Sequence, residues 1–269
     1  MAIDAAPGDV GPPLPPDLVA TLRSIRSLGA ITGAGVSAES GIQTYRGAGG
    51  LYDDEAEGDR TVEALSAGTL REDPDRTWRV VGELARRAID AAPNDGHRAL
   101  VAMEDALDHF VLLTQNVDGL HRRAGSRNLI DIHGDVLDTR CMACECRGHL
   151  GPAELRGLEG APVCASCGGT LRPDAVLFGE MLPPAKIHRL HDELLERTPD
   201  LVLIAGTTAV FPYIAEPVLV AARAGVPTIE VNPEPTLVTP HVRWSLRGTA
   251  GTLLPAIATV IADRPAATP

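Results

Sequence analysis

Aromatic side chains are scarce in this chain. Phe, Tyr and Trp make up 3% of the 269 residues, while apolar residues as a whole reach 44%. A core must therefore be built from Leu, Val, Ile and Ala, and the length suits one large domain or a large one with a small companion. No run of about 18 or more apolar residues is present, so no membrane-spanning helix is expected. The first residues lack the basic-then-apolar pattern of a secretory signal. Met1 to Pro16 instead carry five prolines and two glycines, and residues 1–18 read as a disordered or extended tail. The expected location is the cytoplasm. Positive charge is also in short supply: 24 Lys and Arg stand against 36 Asp and Glu, a formal net charge of -12. An acidic chain is repelled by phosphate backbones, so no nucleic-acid partner is expected, whereas lysine-bearing protein segments suit such a surface. The plainer reading of the charge is solubility. Cysteine is missing from most of the chain, and all five fall between Cys141 and Cys167. In a reducing compartment such clustering points to a metal rather than to disulfides.

What is present reads as an α/β pattern. Short apolar runs at Gly29–Thr32, Phe110–Thr114, Leu129–Ile132, Ala175–Phe178, Leu201–Ala205 and Thr228–Val231 have the look of buried parallel strands, and helix-like stretches at Ile187–Glu196 and Ile214–Ala224 lie between some of them. That alternation predicts a Rossmann-like, doubly wound parallel sheet covered on both faces. Gly33, Gln115, His133, Gly179, Gly206 and Asn232 follow these runs, and ligands of open α/β sheets bind beyond the carboxyl ends of the strands. The expected division is a dinucleotide-binding domain over 19–138 and 174–262, a cysteine-bearing module over 139–173, and a charged helical insertion over 50–95 with an apolar stripe of Trp78, Val81, Leu84 and Ile89.

Cys141-x2-Cys144 and Cys164-x2-Cys167 are separated by 19 residues. A two-residue gap lets both thiolates of a knuckle reach one ion at about 2.3 Å, and two knuckles complete a tetrahedron. The spacing is that of a zinc ribbon, and a closed four-thiolate shell makes the expected Zn2+ structural. Cys146 competes with Cys144 for a ligand position; the matched gaps favour Cys144. Four buried free cysteines are the duller alternative.

After the first run comes Gly33-Ala34-Gly35-Val36-Ser37-Ala38, which fits G-x-G-x-x-A. Its glycines permit a tight turn and a close approach of backbone to pyrophosphate, and a helix N-terminus after it would favour the negative charge. The loop then continues irregularly through Glu39, Ser40, Gly41, Ile42, Gln43, Thr44, Tyr45, Arg46 and Gly47, which suggests a flexible cover over a ligand. No acidic residue closes the second strand, and Asn232 is the better candidate for holding a ribose.

Taken together, GAGVSAESGIQTYRG (33–47), TQNVDGLH (114–121), HGD (133–135), FGE (178–180), GTT (206–208) and VNPE (231–234), with the paired cysteines between HGD and FGE, resemble the sirtuin family over roughly residues 19–262. The resemblance implies an NAD-dependent protein-lysine deacylase, most simply a deacetylase, with NAD as co-substrate. Nicotinamide leaves, and the acyl group ends on ADP-ribose. It implies His133 as general base, a role open to an imidazole of ordinary pKa near about 6.5, although a lone histidine is more often structural. Asn116 is implied to orient a water and the nicotinamide ribose, and Asp118 to hold the carboxamide; by themselves these two would read as an Asx-turn at a strand end. Further NAD contacts are implied at Gly33, Ala34, Gly35, Ser37, Ala38, Glu39, Ile42, Tyr45, Arg46, Gln115, Gly206, Thr207, Thr208, Asn232, Pro233, Glu234 and Ala250. Phe178, Gly179 and Glu180 match the strand that pairs with an acyl-lysine peptide. His97, His109 and His121 read as structural or surface residues.

Three positions depart from the family pattern: Gln43 replaces a usual proline, Tyr45 a usual Phe, and Thr208 a common Ser. Acyl-CoA synthetases are the protein substrates that family analogy suggests. Protein ADP-ribosyl transfer is the rival activity, and a non-catalytic NAD-sensing scaffold the rival of another class. Family members that prefer acidic acyl groups carry Tyr-x-x-Arg on the helical insertion. Anchored on Asp73-Pro74, that pair falls on Val81 and Leu84, which offer no cation to a carboxylate; a shift of two residues would bring Arg79 or Arg86 there instead. A neutral acyl preference is expected.

Overall fold

The computed structural model describes residues 13–44 and 54–264. In chain order its elements are α1 (Pro16–Ser24), β1 (Ser27–Thr32), α2 (Glu55–Ala64), α3 (Ala67–Glu72), α4 (Pro74–Asp90), α5 (Asp95–Ala106), β2 (His109–Thr114), α6 (Leu120–Ala124), β3 (Leu129–Asp131), β4 (Gly134–Cys141), β5 (Arg147–His149), α7 (Pro152–Arg156), β6 (Leu171–Ala175), α8 (Pro184–Leu190), β7 (Leu201–Ala205), α9 (Pro212–Arg223), β8 (Thr228–Val231), β9 (Trp244–Leu246) and α10 (Ala250–Ala262). A wide helical turn over His191–Glu196 continues α8.

Strand alternation decides which side chains fill which layer. Leu28, Ala30, Phe110, Leu112, Leu201 and Leu203 point to one face of the large sheet, where α1, α5 and α10 supply Leu18, Leu22, Leu100, Met103, Leu254 and Ile257. Ile31, Val111, Leu113, Val202 and Ile204 point to the other, against Leu190, Leu194, Ile214 and Val218. With both faces covered, the strands read as unbroken apolar runs, and the sheet is parallel throughout in the order β3-β2-β1-β7-β8-β9. The winding reverses between β1 and β7, so the carboxyl ends of these two strands frame the crevice where such sheets bind ligands. Glu230, 1% exposed in the middle of β8, is accommodated because Thr236, Thr239, Ser245 and Arg247 all address its carboxylate.

Four expectations change. Ala175–Phe178 is not a parallel strand: β6 runs over 171–175, antiparallel to β4 in a separate three-stranded sheet of order β5-β4-β6. A four-residue apolar run does not distinguish a strand from a buried crossing between two layers. β9 went unread, since Trp244, Ser245 and Leu246 make a three-residue edge strand without periodicity. Among the described residues up to 44, no α-helix follows the glycine loop. Two single 3-10 turns, Ala34–Val36 and Ala38–Ser40, take its place, and Gly41 at φ 82° ends them. Finally, Pro16, Asp17 and Leu18 belong to α1 rather than to a tail, with Leu18 fully buried.

The small sheet and the helical insertion share one core. Trp78, Val81, Ala85 and Ala88 of α4 pack with Val136, Leu137, Leu150, Leu155 and Leu177. The indole Nε1–H of Trp78 donates to the Leu171 carbonyl at 2.7 Å, tying α4 to β6. α4 starts firmly: Asp73 caps it by accepting from Arg76 N at 3.1 Å, with Pro74 in the first turn.

Candidate active site

The glycine loop and the Gly206 loop meet at the switch point. Gly35 N donates to the Gly206 carbonyl at 2.8 Å, and Gly206 N donates to the Val231 carbonyl at 3.0 Å. A Cβ on Gly35 would come within 2.7 Å of Gly206 Cα, and one on Gly206 within 2.5 Å of Val36 N, where φ is also +60°. These glycines are required first because two backbones touch. Gly33 shows the same constraint, with Thr207 Cβ at 2.6 Å from its would-be Cβ. Just beyond, Ala209 is held at φ 55°, a left-handed conformation costly for a residue with a Cβ, and its N–H donates to Thr207 Oγ1 at 3.2 Å.

Behind the loops lies a buried polar string. Asn116 Nδ2 donates to the Gly33 carbonyl and to Ser37 Oγ, both at 3.1 Å, and Ser37 Oγ donates to Asp118 Oδ2 at 2.7 Å. Asp118 also accepts from Leu120 N at 2.9 Å. Burial pushes its carboxyl pKa up despite these bonds. A second string runs across the strand ends. Gln115 Nε2 donates to Thr207 Oγ1 at 2.7 Å, and Asn232 Nδ2 donates to the Thr207 carbonyl at 2.9 Å. The strand ends thus bring together Gly33, Gly35, Ser37, Gln115, Asn116, Asp118, Gly206, Thr207 and Asn232. Ala34 and Ile42 are half-buried beside them, while Ala38, Thr208, Pro233 and Glu234 are exposed at the rim. Glu39 and Ala250 do something more local. The Glu39 carboxylate accepts from Gly251 N at 2.6 Å and from Thr249 Oγ1 at 2.9 Å, so it caps α10, and Ala250 is buried in the core. Tyr45 and Arg46 lie outside the described residues.

His133 follows β3 and precedes β4. Its Nδ1–H donates to the Gln115 carbonyl at 2.9 Å, because a carbonyl can only accept. The proton-free nitrogen of the neutral ring is therefore Nε2. Burial lowers the imidazole pKa, opposed by the bond to Gln115, and the charge of Lys186 lowers it further. Lys186 itself is paired with Asp131 at 2.8 Å.

Of the substrate-strand residues, Phe178 has both backbone groups taken, its N–H by the Leu65 carbonyl and its carbonyl by Ala67 N, each at 2.9 Å. Glu180 is held in a two-pronged ion pair by the buried Arg172 and accepts from Leu177 N at 3.0 Å. Its carboxylate shapes the loop, and Gly179, at φ 82° with open space around it, is the exposed backbone there. Val81 is 1% exposed and belongs to the small core; Leu84 is half-buried at its edge. Arg86 Nη1 donates to the Leu155 carbonyl at 3.3 Å, and Arg79 is exposed.

The four paired cysteines converge. Their sulfurs lie within 4.8 Å of one another, with Cys141–Cys167 at 3.5 Å, Cys144–Cys164 at 3.7 Å and Cys144–Cys167 at 3.4 Å. Tetrahedral ligands at about 2.3 Å from zinc stand about 3.8 Å apart, so the donor set fits one structural Zn2+. The knuckles pre-orient the sulfurs: Ala143 N donates to Cys141 Sγ at 3.3 Å and Gly169 N to Cys167 Sγ at 3.4 Å. Cys146 is outside the cluster, and its carbonyl accepts from Cys141 N at 2.8 Å.

Sequence reasoning missed the depth of the histidine pair. His97 and His121 are buried with ring centroids 4.7 Å apart, and His121 Nε2 meets Thr32 Oγ1 at 2.9 Å. His97 completes the capping box of α5 with Asn94, the Asn-x-x-His spacing being its only local signal. Burial lowers the His97 pKa to about 4 and that of His121 well below its usual range. Both rings are thus neutral in the fold, whereas the unfolded chain takes up protons below about pH 6.5. Stability is therefore fully present above that pH and is lost as pH falls toward about 4, by about 3 kcal/mol for His97. Urea midpoints measured from pH 7.5 down to about 4.5 should fall steadily; a flat series would contradict the burial of the pair.

The Sir2 family model matches residues 33–212. "NAD-dependent protein deacylase 2" of Pseudomonas aeruginosa is 44% identical over 239 residues, covering 88% of this chain and 93% of that protein. "NAD-dependent protein deacylase 1" of Archaeoglobus fulgidus is 40% identical over 238 residues, covering 88% and 94%. Among solved structures, a Sir2 homolog–NAD complex superposes with a TM-score of 0.78 at 36% identity, covering 94% of this chain and 96% of the other. A Sir2 complex with deacetylated p53 peptide and 3'-O-acetyl ADP-ribose gives 0.78 at 25% identity, covering 90% and 96%. This chain belongs to the Sir2 family.

Proposed function

We propose that the chain is an NAD-dependent protein-lysine deacylase with His133 as its general base. The supporting observation is the His133 ring. Its Nδ1–H is fixed on the Gln115 carbonyl and its proton-accepting Nε2 is turned the other way, in a site dry enough to keep the ring neutral. The acyl-lysine oxygen attacks the ribose carbon bearing nicotinamide, nicotinamide leaves, and a ribose hydroxyl gives its proton to His133 as its oxygen turns on the acyl carbon. Asn116 and Asp118 hold a water, the ribose and the carboxamide; Gly33, Gly35, Ser37, Thr207 and Asn232 hold the rest of the dinucleotide. Gly179 offers backbone to the extended peptide. No helix of the described residues is long and apolar enough to cross a membrane. We place the enzyme in the cytoplasm on the clustered, metal-suited cysteines, and name acyl-CoA synthetases as the class of protein substrate on family analogy.

The acyl preference follows from α4. An unpaired carboxylate costs several kcal/mol to bury, while a neutral acyl chain gains about 0.8 kcal/mol per methylene. With Val81 and Leu84 apolar and Arg86 engaged by Leu155, acetyl-lysine should be processed more than about tenfold faster than succinyl-lysine at equal peptide concentration, a gap of about 1.4 kcal/mol. Nicotinamide release is the readout, with and without peptide. Release that ignores the peptide would favour ADP-ribosyl transfer or NAD hydrolysis, and faster desuccinylation would overturn the placement of Val81 and Leu84.

A further inference from the structure

The lone pair that must accept the substrate proton already has a partner. Tyr213, in the first turn of α9, lies with its hydroxyl 2.7 Å from His133 Nε2. Since Nδ1 carries the ring proton, the hydroxyl donates and Nε2 accepts. Burial raises the Tyr213 pKa to about 12, so the phenol keeps its proton at neutral pH. The ring is held in place: Tyr213 stacks on Phe211 at 5.6 Å and 19°, and both present edges to the imidazole, at 6.0 Å and 6.3 Å. The other groups facing His133 are the Gln115 carbonyl just after β2 and Lys186 from α8, the latter neutralised by Asp131 of β3.

We propose that the Tyr213 hydroxyl is a stand-in for the substrate's ribose hydroxyl, filling the His133 Nε2 acceptor position in the free enzyme and yielding it when NAD and acyl-lysine bind. This rests on the deacylase reading. On displacement the ribose O–H donates to Nε2 in place of the phenol; in the reaction that O–H bond breaks and the proton stays on the imidazole. Tyr213 is thus a positioning residue. With the tautomer already set by the Gln115 carbonyl, it stabilises the neutral base, and each productive binding event has to exchange one hydrogen bond for another.

Tyr213→Phe removes the hydroxyl and keeps the ring stacked on Phe211. Losing a competitor of one hydrogen bond's strength should raise kcat/KM for NAD about fivefold above the acid limb. The acid limb itself should move up by about 0.7 pH, because the neutral base loses the same fivefold stabilisation, and kcat/KM well below it should not change. kcat should stay unchanged, as the phenol is already displaced in the ternary complex. NMR titration of the His133 imidazole in the free enzyme should show the same upward shift with no substrate present. A tenfold or greater fall in kcat would overturn the proposal, since Tyr213 would then act in the reacting complex; so would an unshifted His133 titration. Loss of all acyl-peptide turnover in the unsubstituted enzyme would strike the deacylase reading instead, and the titration would still decide the contact.

Discussion

His133→Ala is expected to lower turnover of an acetyl-lysine peptide by at least about a hundredfold, the scale of a lost general base, while NAD binding persists. The ring touches protein only through Gln115 and Tyr213 among its hydrogen bonds. It is not part of the loop contacts of Gly33, Gly35 and Gly206 that shape the dinucleotide crevice. Removing it should therefore strike kcat and spare calorimetric NAD affinity. The pH profile adds a second check. A base must be unprotonated, so activity falls as pH drops through its pKa. Burial lowers that pKa, so the acid limb of kcat/KM should lie below the ordinary histidine value of about 6.5. Retained turnover in His133→Ala, or an acid limb above that value, would count against the assignment.

Cys164→Ser should remove zinc and open the small sheet while the large parallel sheet stays folded. Cys164 is 4% exposed, its N–H donates to the Gly169 carbonyl at 2.7 Å, and Gly168 N returns a bond to its own carbonyl at 2.8 Å. The knuckle is thus built around the ligand. β5 is three residues long and the β4–β6 pairing shifts register between Asp135 and Thr139, so the strand ladder by itself contributes little at this end. Zinc binding in small sites carries about 10 kcal/mol of folding free energy, and its loss exceeds what such a sheet can replace. Calorimetry should show an early transition split from the main one, with zinc content near zero. A single unchanged melting transition in the zinc-free variant would refute the structural role.

How much was legible depends on where each signal lives. β1, β2, β7 and β8 announce themselves because strands buried on both faces leave unbroken apolar runs, and the residues just after them were therefore readable as the crevice. The cysteine knuckles were readable because their ligands are two residues apart. Tyr213 was not readable: it stands 80 residues from His133 and meets it only when α9 packs behind β7. The His97–His121 pair read as structural or surface residues, since one caps α5, the other lies in α6, and no local pattern joins them. Glu180 read as substrate-facing from its motif, but its partner Arg172 lies on the preceding strand.

The bond from Trp78 to Leu171 spans 93 positions of chain. Neither the helical insertion nor the cysteine ribbon owns a complete core; each is the other's inner wall. Closing the loop between them costs entropy that neither segment recovers alone, so the two stand or fall as one unit. A substitution that loosens α4 therefore loosens the ribbon sheet with it.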